Sequence, residues 1–174
     1  MTTLAGPETT DTRWFRSALA GIDIHRIRRP DRDSAAPIVV GVDESRAARA
    51  AVEDGVRIAH ELEAPVVFVY VRRRPSGPLG EPYYQRRLDR EIAAGTRAID
   101  HALAVAKHVG VSASGEQLHG SPARRVAEFA RLRGARLLVL GSRRRRLRRS
   151  VSRAVLRNTD RPVLVAARKR HAPA

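Results

Sequence analysis

Short apolar runs alternate with longer amphipathic stretches along most of this chain. Four runs are rich in Val, Ile and Leu and have the length of buried strands: Ile38–Val42, Val66–Val71, Leu137–Leu140 and Pro162–Ala166. A fifth, more polar run, Val111–Leu118, is typical of a strand at the edge of a sheet. Between the runs, apolar residues recur every three or four positions, which is the spacing of amphipathic helices. The stretches with that spacing are Arg46–Leu62, Tyr83–Val109, Pro122–Leu132 and Ser152–Thr159.

Capping residues and apolar stripes predict how these helices begin and which side chains face inward. Ser45 can cap the first helix, and Ser121 followed by Pro122 can begin the third with a cap and a first-turn proline. The inward stripe of the second helix is predicted to hold Leu88, Ile92, Ile99, Leu103 and Ala106. The inward stripe of the third is predicted to hold Val126, Phe129, Ala130 and Leu132.

The repeated strand–helix order predicts an α/β fold with an open, mostly parallel sheet and helices on both faces. Ligands of such sheets bind beyond the carboxyl ends of the strands, where the strand order reverses. The first and fourth apolar runs are natural neighbours across that point. We therefore expect Asp43, Val71 and the turn after Leu140 to surround one crevice.

The stretch Leu137–Arg157 is the most unusual part of the sequence. Gly141 and Ser142 end the fourth apolar run, and arginines then occupy every position from 143 to 149 except Leu147. A strand, a glycine turn and a helix start can hold an anion, because free backbone N–H groups and the helix dipole point to one place. Two interpretations stay open: the arginines bind phosphate groups, or they form a solvated basic loop.

The composition is strongly basic and almost all of the base is arginine. The chain has 34 basic and 18 acidic residues, a net charge of +16, and only two lysines, Lys107 and Lys169. Either a genomic bias toward arginine or an acidic partner, such as a nucleotide, nucleic acid or anionic lipid, explains this balance. The absence of cysteine excludes disulfides and thiolate metal sites.

The lengths and positions of the apolar runs also predict the cellular location of the protein and the bounds of its domain. None approaches the roughly 20 residues of a membrane helix, and charged residues interrupt the N-terminal stretch where a signal peptide would have its apolar core. We expect a cytoplasmic protein with one domain over residues 37–167. Residues 1–36 are predicted to be an extension that is largely disordered or weakly helical, and residues 168–174 a basic tail.

Catalytic patterns are missing from the sequence. The six histidines lack metal-ligand spacing, no serine lies in a nucleophile elbow, and Gly41 stands alone after the first strand without a dinucleotide fingerprint. We predict no catalytic residue and no metal site.

Nucleic acid is a candidate partner of the arginines in 143–157, but only seven aromatic residues are available, so stacking of single strands is poorly supported.

Five motifs, in order along the chain, resemble those of the universal stress protein domain. Val40–Ser45 resembles its opening VGVDGS, and His119–Ala123 resembles its G-x-P-A turn. Leu137–Arg143 resembles LIVMGSRG, Ser150–Leu156 resembles GSVSxxVL, and Arg161–Val165 resembles CPVLVV. The resemblance implies an adenine nucleotide alpha hydrolase-like fold, with a five-stranded parallel sheet in the order 3-2-1-4-5. It also implies a homodimer, often paired through the last strand, and a cytoplasmic role under stress.

One branch of this family binds ATP through a loop that reads Gly, two residues, Gly, nine residues, Gly, then Ser or Thr. Gly141 matches the first glycine, whereas Arg144 and Arg149 stand in place of the second and third, and the last interval is five residues shorter. Asp43 matches the acidic residue near the adenosine, and Val71 the residue that contacts adenine. The nucleotide-binding residues that the resemblance implies are Gly41, Val42, Asp43, Val71, Gly120, Gly141, Ser142, Arg143, Arg144, Ser150, Val151 and Ser152.

We therefore predict a non-catalytic, nucleotide- or anion-sensing regulatory module of the stress response. Its candidate ligand is ATP with Mg²⁺, held through a degenerate phosphate loop in which arginine side chains replace backbone amides. The alternative is a family member that has lost ATP binding, because arginine does not freely adopt the positive φ that glycine allows. Such a member would use its arginine-rich loop to bind nucleic acid or an acidic protein partner.

Overall fold

Five strands and four helices make up the described part of the chain. The computed structural model describes residues 36–72, 83–142 and 151–166. The strands are β1 (Ile38–Gly41), β2 (Val66–Arg72), β3 (Ala113–His119), β4 (Leu137–Gly141) and β5 (Val163–Ala166). The helices are α1 (Arg46–Glu61), α2 (Tyr83–Val109), α3 (Pro122–Leu132) and α4 (Val151–Leu156). The element types and their order confirm the pattern that the sequence predicts, with bounds that differ by a few residues.

The strands form one parallel sheet in the order β3-β2-β1-β4-β5, as expected. β1 is central, pairing with β2 on one side and with β4 on the other, so that Gly41 lies opposite both Val69 and Leu140. The chain leaves β1 toward β2 and returns to the other side of β1 at β4. The carboxyl ends of β1 and β4 therefore lie side by side at the point where the strand order reverses.

Two apolar cores lie on opposite faces of the sheet. On one face α1 and α2 cover side chains such as Ile38, Val40 and Phe68, all fully buried. On the other face α3 and α4 cover Val39 and Leu138. Because side chains alternate along a strand, the continuous apolar runs of β1, β2 and β4 supply both cores at once.

Local sequence signals explain most helix boundaries. Ser45 is the N-cap of α1, and its Oγ accepts a hydrogen bond from the Ala48 amide at 3.2 Å, as expected. Ser121 is the N-cap residue of α3 and Pro122 begins that helix, but the Ser121 side chain makes no capping hydrogen bond. The proline itself removes one of the N–H groups that a cap would otherwise satisfy.

Two predicted inward residues prove to be exposed. Leu132 retains 68% of its surface because it lies two positions beyond the buried Ala130, which turns it to the opposite side of α3. Ile92 retains 40% of its surface. A helix of 27 residues is about 40 Å long, whereas a seven-residue strand spans about 23 Å, so β2 and β3 cannot cover all of α2.

Candidate functional site

A cleft of about 300 Å³ opens at the carboxyl ends of β1, β2 and β4. Its walls are strand ends, the first turns of α1, α3 and α4, and the second and third turns of α2. This volume is at the lower end of the range for small-molecule sites. The lining residues are Gly41, Val42, Asp43, Ser45, Ala48, Val69, Tyr70, Val71, Arg87, Glu91, Pro122, Val126, Leu140, Gly141, Val151 and Ser152.

The turn from β1 to α1 holds an exposed carboxylate at the cleft. The Val42 amide donates to the Val69 carbonyl at 3.0 Å, which extends the pairing of β1 and β2 by one residue. Asp43 Oδ1 accepts a hydrogen bond from the Ser45 amide at 2.7 Å, and Ser45 in turn caps α1. These bonds fix the direction in which the Asp43 side chain leaves the backbone.

Tyr70, near the end of β2, gives the cleft an aromatic wall. Its ring lies against Gly95 of α2, where an added Cβ would be only 2.7 Å from the ring carbon Cδ1. Burial raises the pKa of the Tyr70 hydroxyl, and the carboxylates of Glu91, Glu44 and Asp43 raise it further, as does a hydrogen bond to Glu91. Three carboxylates therefore lie near the β1–β2 end of the cleft, where Glu44 pairs with Arg97 at 2.8 Å and Arg87 also lines the wall.

The β4 end is built from groups that bond to one another. Ser152 is buried, and its Oγ donates to the Gly141 carbonyl at 2.9 Å. The Ser142 amide donates to the Ala166 carbonyl of β5 at 3.0 Å. Gly141 packs against the first turn of α1 so closely that an added Cβ would overlap the Ala47 carbonyl and lie 2.7 Å from the Ala48 nitrogen. Glycine is required here by contact with a helix backbone.

The structure brings most of the sequence-predicted site residues together. Seven line the cleft: Gly41, Val42, Asp43, Val71, Gly141, Val151 and Ser152. Gly120 and Ser142 do not, since the Gly120 amide donates to the Arg72 carbonyl at 3.0 Å and the Ser142 amide is bonded to β5. Arg143, Arg144 and Ser150 lie outside the described residues.

Sequence reasoning missed four polar residues of the cleft: Tyr70, Arg87, Glu91 and Ser45, the last of which was predicted only as a helix cap. Tyr70 belongs to an apolar run and carries no separate signal. Arg87 and Glu91 are four positions apart on α2, so they share a helix face, but nothing in the sequence shows that this face reaches the end of β2. Only the packing of α2 across β2 and β3 brings them to the cleft.

No group of three or more His, Asp or Glu side chains suited to a metal ion occurs within residues 36–72, 83–142 and 151–166. Across those same ranges, no helix is long and apolar enough to cross a membrane.

Comparison with known proteins identifies the family of this chain. The model of the universal stress protein family matches residues 35–167. The chain belongs to the universal stress protein family. No curated protein matches the chain.

Solved structures of the universal stress protein family have the same fold. A family protein from Burkholderia pseudomallei is 27% identical, with a TM-score of 0.65 over 78% of this chain and 98% of that one. The universal stress protein of Archaeoglobus fulgidus in complex with dAMP is 22% identical, with a TM-score of 0.60 over 75% and 97% of the two chains. An Arabidopsis thaliana family protein with AMP bound is 16% identical, with a TM-score of 0.62 over 78% and 93%.

Proposed function

We propose that this universal stress protein binds an adenine nucleotide in the cleft and acts as a non-catalytic, nucleotide-sensing regulatory module. The observation that carries the proposal is the position of the cleft: it lies at the carboxyl ends of the paired strands β1 and β4, and Asp43, Val71 and Gly141 line it together. The family members from Archaeoglobus fulgidus and Arabidopsis thaliana, which hold dAMP and AMP, support the choice of ligand.

The charge distribution in the cleft favours one orientation of the nucleotide. Ribose hydroxyls and the adenine amino group are hydrogen-bond donors, and ionised carboxylates only accept. The nucleoside is therefore assigned to the β1–β2 end, where Asp43 and Glu91 lie, and the phosphate groups to the β4 end, near Gly141 and Val151. Phosphate groups placed beside the carboxylates would repel them.

The proposal gives several of the predicted residues roles that experiments can test. Asp43 accepts a hydrogen bond from the nucleoside, Val71 contacts the base, and Gly141, at the end of β4, lies beside the phosphates. Arg143, Arg144 and Ser150 remain predicted phosphate-binding residues. Mg²⁺ would accompany ATP on the phosphate oxygens.

Several features of the wider assembly belong to the same proposal. A homodimer paired through β5 is supported by the sheet order, because β5 is an outer strand of the described sheet with one neighbour, β4. A cytoplasmic location is inferred from the family. The domain is assigned to residues 37–167, with an N-terminal extension and a short basic C-terminal tail.

Calorimetry on the purified full chain tests the proposal. The protein is first checked for co-purified nucleotide, and ATP with Mg²⁺, AMP and GTP are then titrated separately. We expect saturable binding of an adenine nucleotide that Asp43→Ala weakens and Asp100→Ala, which removes an exposed carboxylate from α2, leaves unchanged. Absence of both co-purified nucleotide and binding heat would refute the proposal and favour the alternative, a family member that has lost ATP.

A further inference from the structure

The two helical layers carry very different numbers of acidic residues. Helices α1 and α2 with the adjoining turn, residues 43–63 and 83–109, hold eight basic and nine acidic residues. Helices α3 and α4 with their following turns, residues 122–136 and 151–161, hold eight basic and two acidic residues. A genomic bias toward arginine raises the basic count on both sides alike. It does not explain why acidic residues are depleted on one side only.

The few acidic groups on the α3–α4 side are already paired. Glu128 accepts from Arg125 at 2.9 Å, and Asp160 lies 3.5 Å from Arg161. Among the described residues, no ion pair involves Arg124, Arg131 or Arg157, and all three side chains are exposed. We call the surface formed by these three arginines the α3–α4 face.

The spacing of the arginines suits a linear polyanion. Arg124 and Arg131 are seven residues apart on α3, or about 10 Å along its axis. Over that length double-stranded DNA presents about six phosphates. Helices α3 and α4 pack against each other, and Arg157, directly after the end of α4, is a third exposed cation of this layer. Guanidinium groups can bond phosphate oxygens with two parallel hydrogen bonds.

The apolar residues on this side do not suit a membrane. Leu132 is 68% exposed, in a groove that it shares with Leu118 and Phe129, and Leu156 is 52% exposed. The apolar stripes of both helices, including Val126 and Val155, are buried against the sheet. A helix that lies in a membrane surface inserts a continuous apolar face, which α3 and α4 do not offer.

The aromatic content of this side does not suit a single strand. Phe129 is half-buried, and the guanidinium of Arg133 lies over its ring at 5.2 Å from the centroid. Single-strand binding by stacking needs accessible aromatic rings. Contact with the backbone of a duplex needs neither an inserted apolar face nor stacking rings, and it carries no sequence information.

We propose that the α3–α4 face binds the phosphate backbone of double-stranded nucleic acid without sequence preference. This binding does not depend on the proposed nucleotide function, because it uses the outer surface of α3 and α4 and none of the cleft residues.

Fluorescence anisotropy with the full chain and a labelled DNA duplex tests this proposal. For about four phosphate contacts, we expect the affinity to fall on the order of 100-fold between about 50 and 200 mM salt. The triple variant Arg124→Ala, Arg131→Ala, Arg157→Ala should bind at least roughly 10-fold more weakly at low salt. Its salt dependence, as the slope of log affinity against log salt, should be less steep by about 2 to 3.

A matched variant separates local contacts from net charge. Arg49→Ala, Arg90→Ala, Lys107→Ala removes the same three charges from exposed positions on α1 and α2. It should bind duplex nearly as well as the unmodified chain, and circular dichroism should show both variants folded. Equal weakening of duplex binding by the two triple variants, or no weakening by the variant that lacks Arg124, Arg131 and Arg157, would overturn the proposal.

Stronger binding to phosphatidylserine vesicles than to duplex, with the same dependence on the α3–α4 arginines, would overturn the choice of nucleic acid.

Discussion

At its β1–β2 end the cleft is lined by the carboxylates of Asp43 and Glu91 and by the Tyr70 ring, whereas at its β4–α4 end it is lined by groups that pack tightly on the backbone. Asp43 is exposed beside the cleft, and burial, followed by the nearby carboxylates, raises the pKa of Tyr70. In contrast, the hydroxyl of Ser152 donates to the Gly141 carbonyl, and Gly141 packs on the backbone of α1. One end of the cleft is therefore arranged for a ligand, and the described part of the other is arranged for close packing.

This difference changes how the family resemblance is interpreted. Gly141 and Ser152 are both predicted nucleotide-binding residues, but in the structure a hydrogen bond joins these two residues to each other. Their presence alone does not distinguish the two roles. The two ends of the cleft must be tested separately. Substitutions at the β4–α4 end should change the free energy of unfolding, and substitutions at the β1–β2 end should change the affinity for nucleotide.

The largest effect on stability is expected from Gly141→Ala. The new methyl group would overlap the Ala47 carbonyl in a part of the fold where two backbones already touch. We expect a loss of about 1–3 kcal/mol in the free energy of unfolding, measured by urea denaturation. Gly134→Ala is the control: its Cβ would meet open space, so only the positive φ of +60° opposes it. If Gly141→Ala cost no more than the control, close packing at this end would be disproved.

Asp43→Ala should have the largest effect on affinity. Removal of a charged hydrogen-bond acceptor at the β1–β2 end should weaken nucleotide binding roughly 10- to 100-fold in calorimetry. Asp43→Asn retains the size of the side chain and should recover part of the loss, because its amide oxygen still accepts a hydrogen bond. Unchanged affinity in both variants would remove Asp43 from the site.

A smaller effect on stability is expected from Ser152→Ala. The substitution leaves the Gly141 carbonyl without its 2.9 Å hydrogen bond from a buried hydroxyl. The expected cost is about 1 kcal/mol in the free energy of unfolding. Ser114→Ala, at an exposed position of β3, is the control. A ligand role for Ser152 would instead lower affinity with no change in stability, which is the result that contradicts this account.

The smallest effect is a pH dependence that Tyr70→Phe should remove. Since the folded state raises the pKa of Tyr70 above its ordinary value of 10.0, the unfolded chain releases this proton first as the pH rises. The free energy of unfolding should therefore fall as the pH rises above about 10. Tyr70→Phe should make this fall less steep in urea unfolding measured up to about pH 11, and Tyr84→Phe is the control. An identical slope in the two variants would contradict the assigned environment of Tyr70.

Much of the fold is predictable from the sequence because burial of apolar residues and helix capping stabilise the same strands and helices that their patterns indicate. Continuous Val and Ile runs indicate strands covered on both faces, and Ser45 before an amphipathic stretch indicates where α1 begins. The exposed Leu132 shows where such patterns fail, because the final turn of a helix can point away from the core. Its spacing from Ala130, rather than its hydrophobicity, decides its direction.

The cleft is only partly predictable, for a different reason. Asp43 and Gly141 follow strands directly, so the topology of the sheet alone brings them to one edge. Arg87 and Glu91 reach the cleft through the angle at which α2 packs, which depends on glycines such as Gly95 that admit Tyr70. The bond between Ser152 and Gly141 likewise depends on the position of α4. Such packing distances are not encoded in any short motif.

The central claim, that an adenine nucleotide lies across the carboxyl ends of β1, β2 and β4, is tested most directly by nuclear magnetic resonance. Backbone amide shifts of the ¹⁵N-labelled full chain would be followed during titration with AMP. The account predicts that the largest shifts occur at Val42, Asp43, Val71 and Gly141. Shifts confined to Arg124, Arg131 and Arg157, or no shifts at saturating AMP, would contradict it.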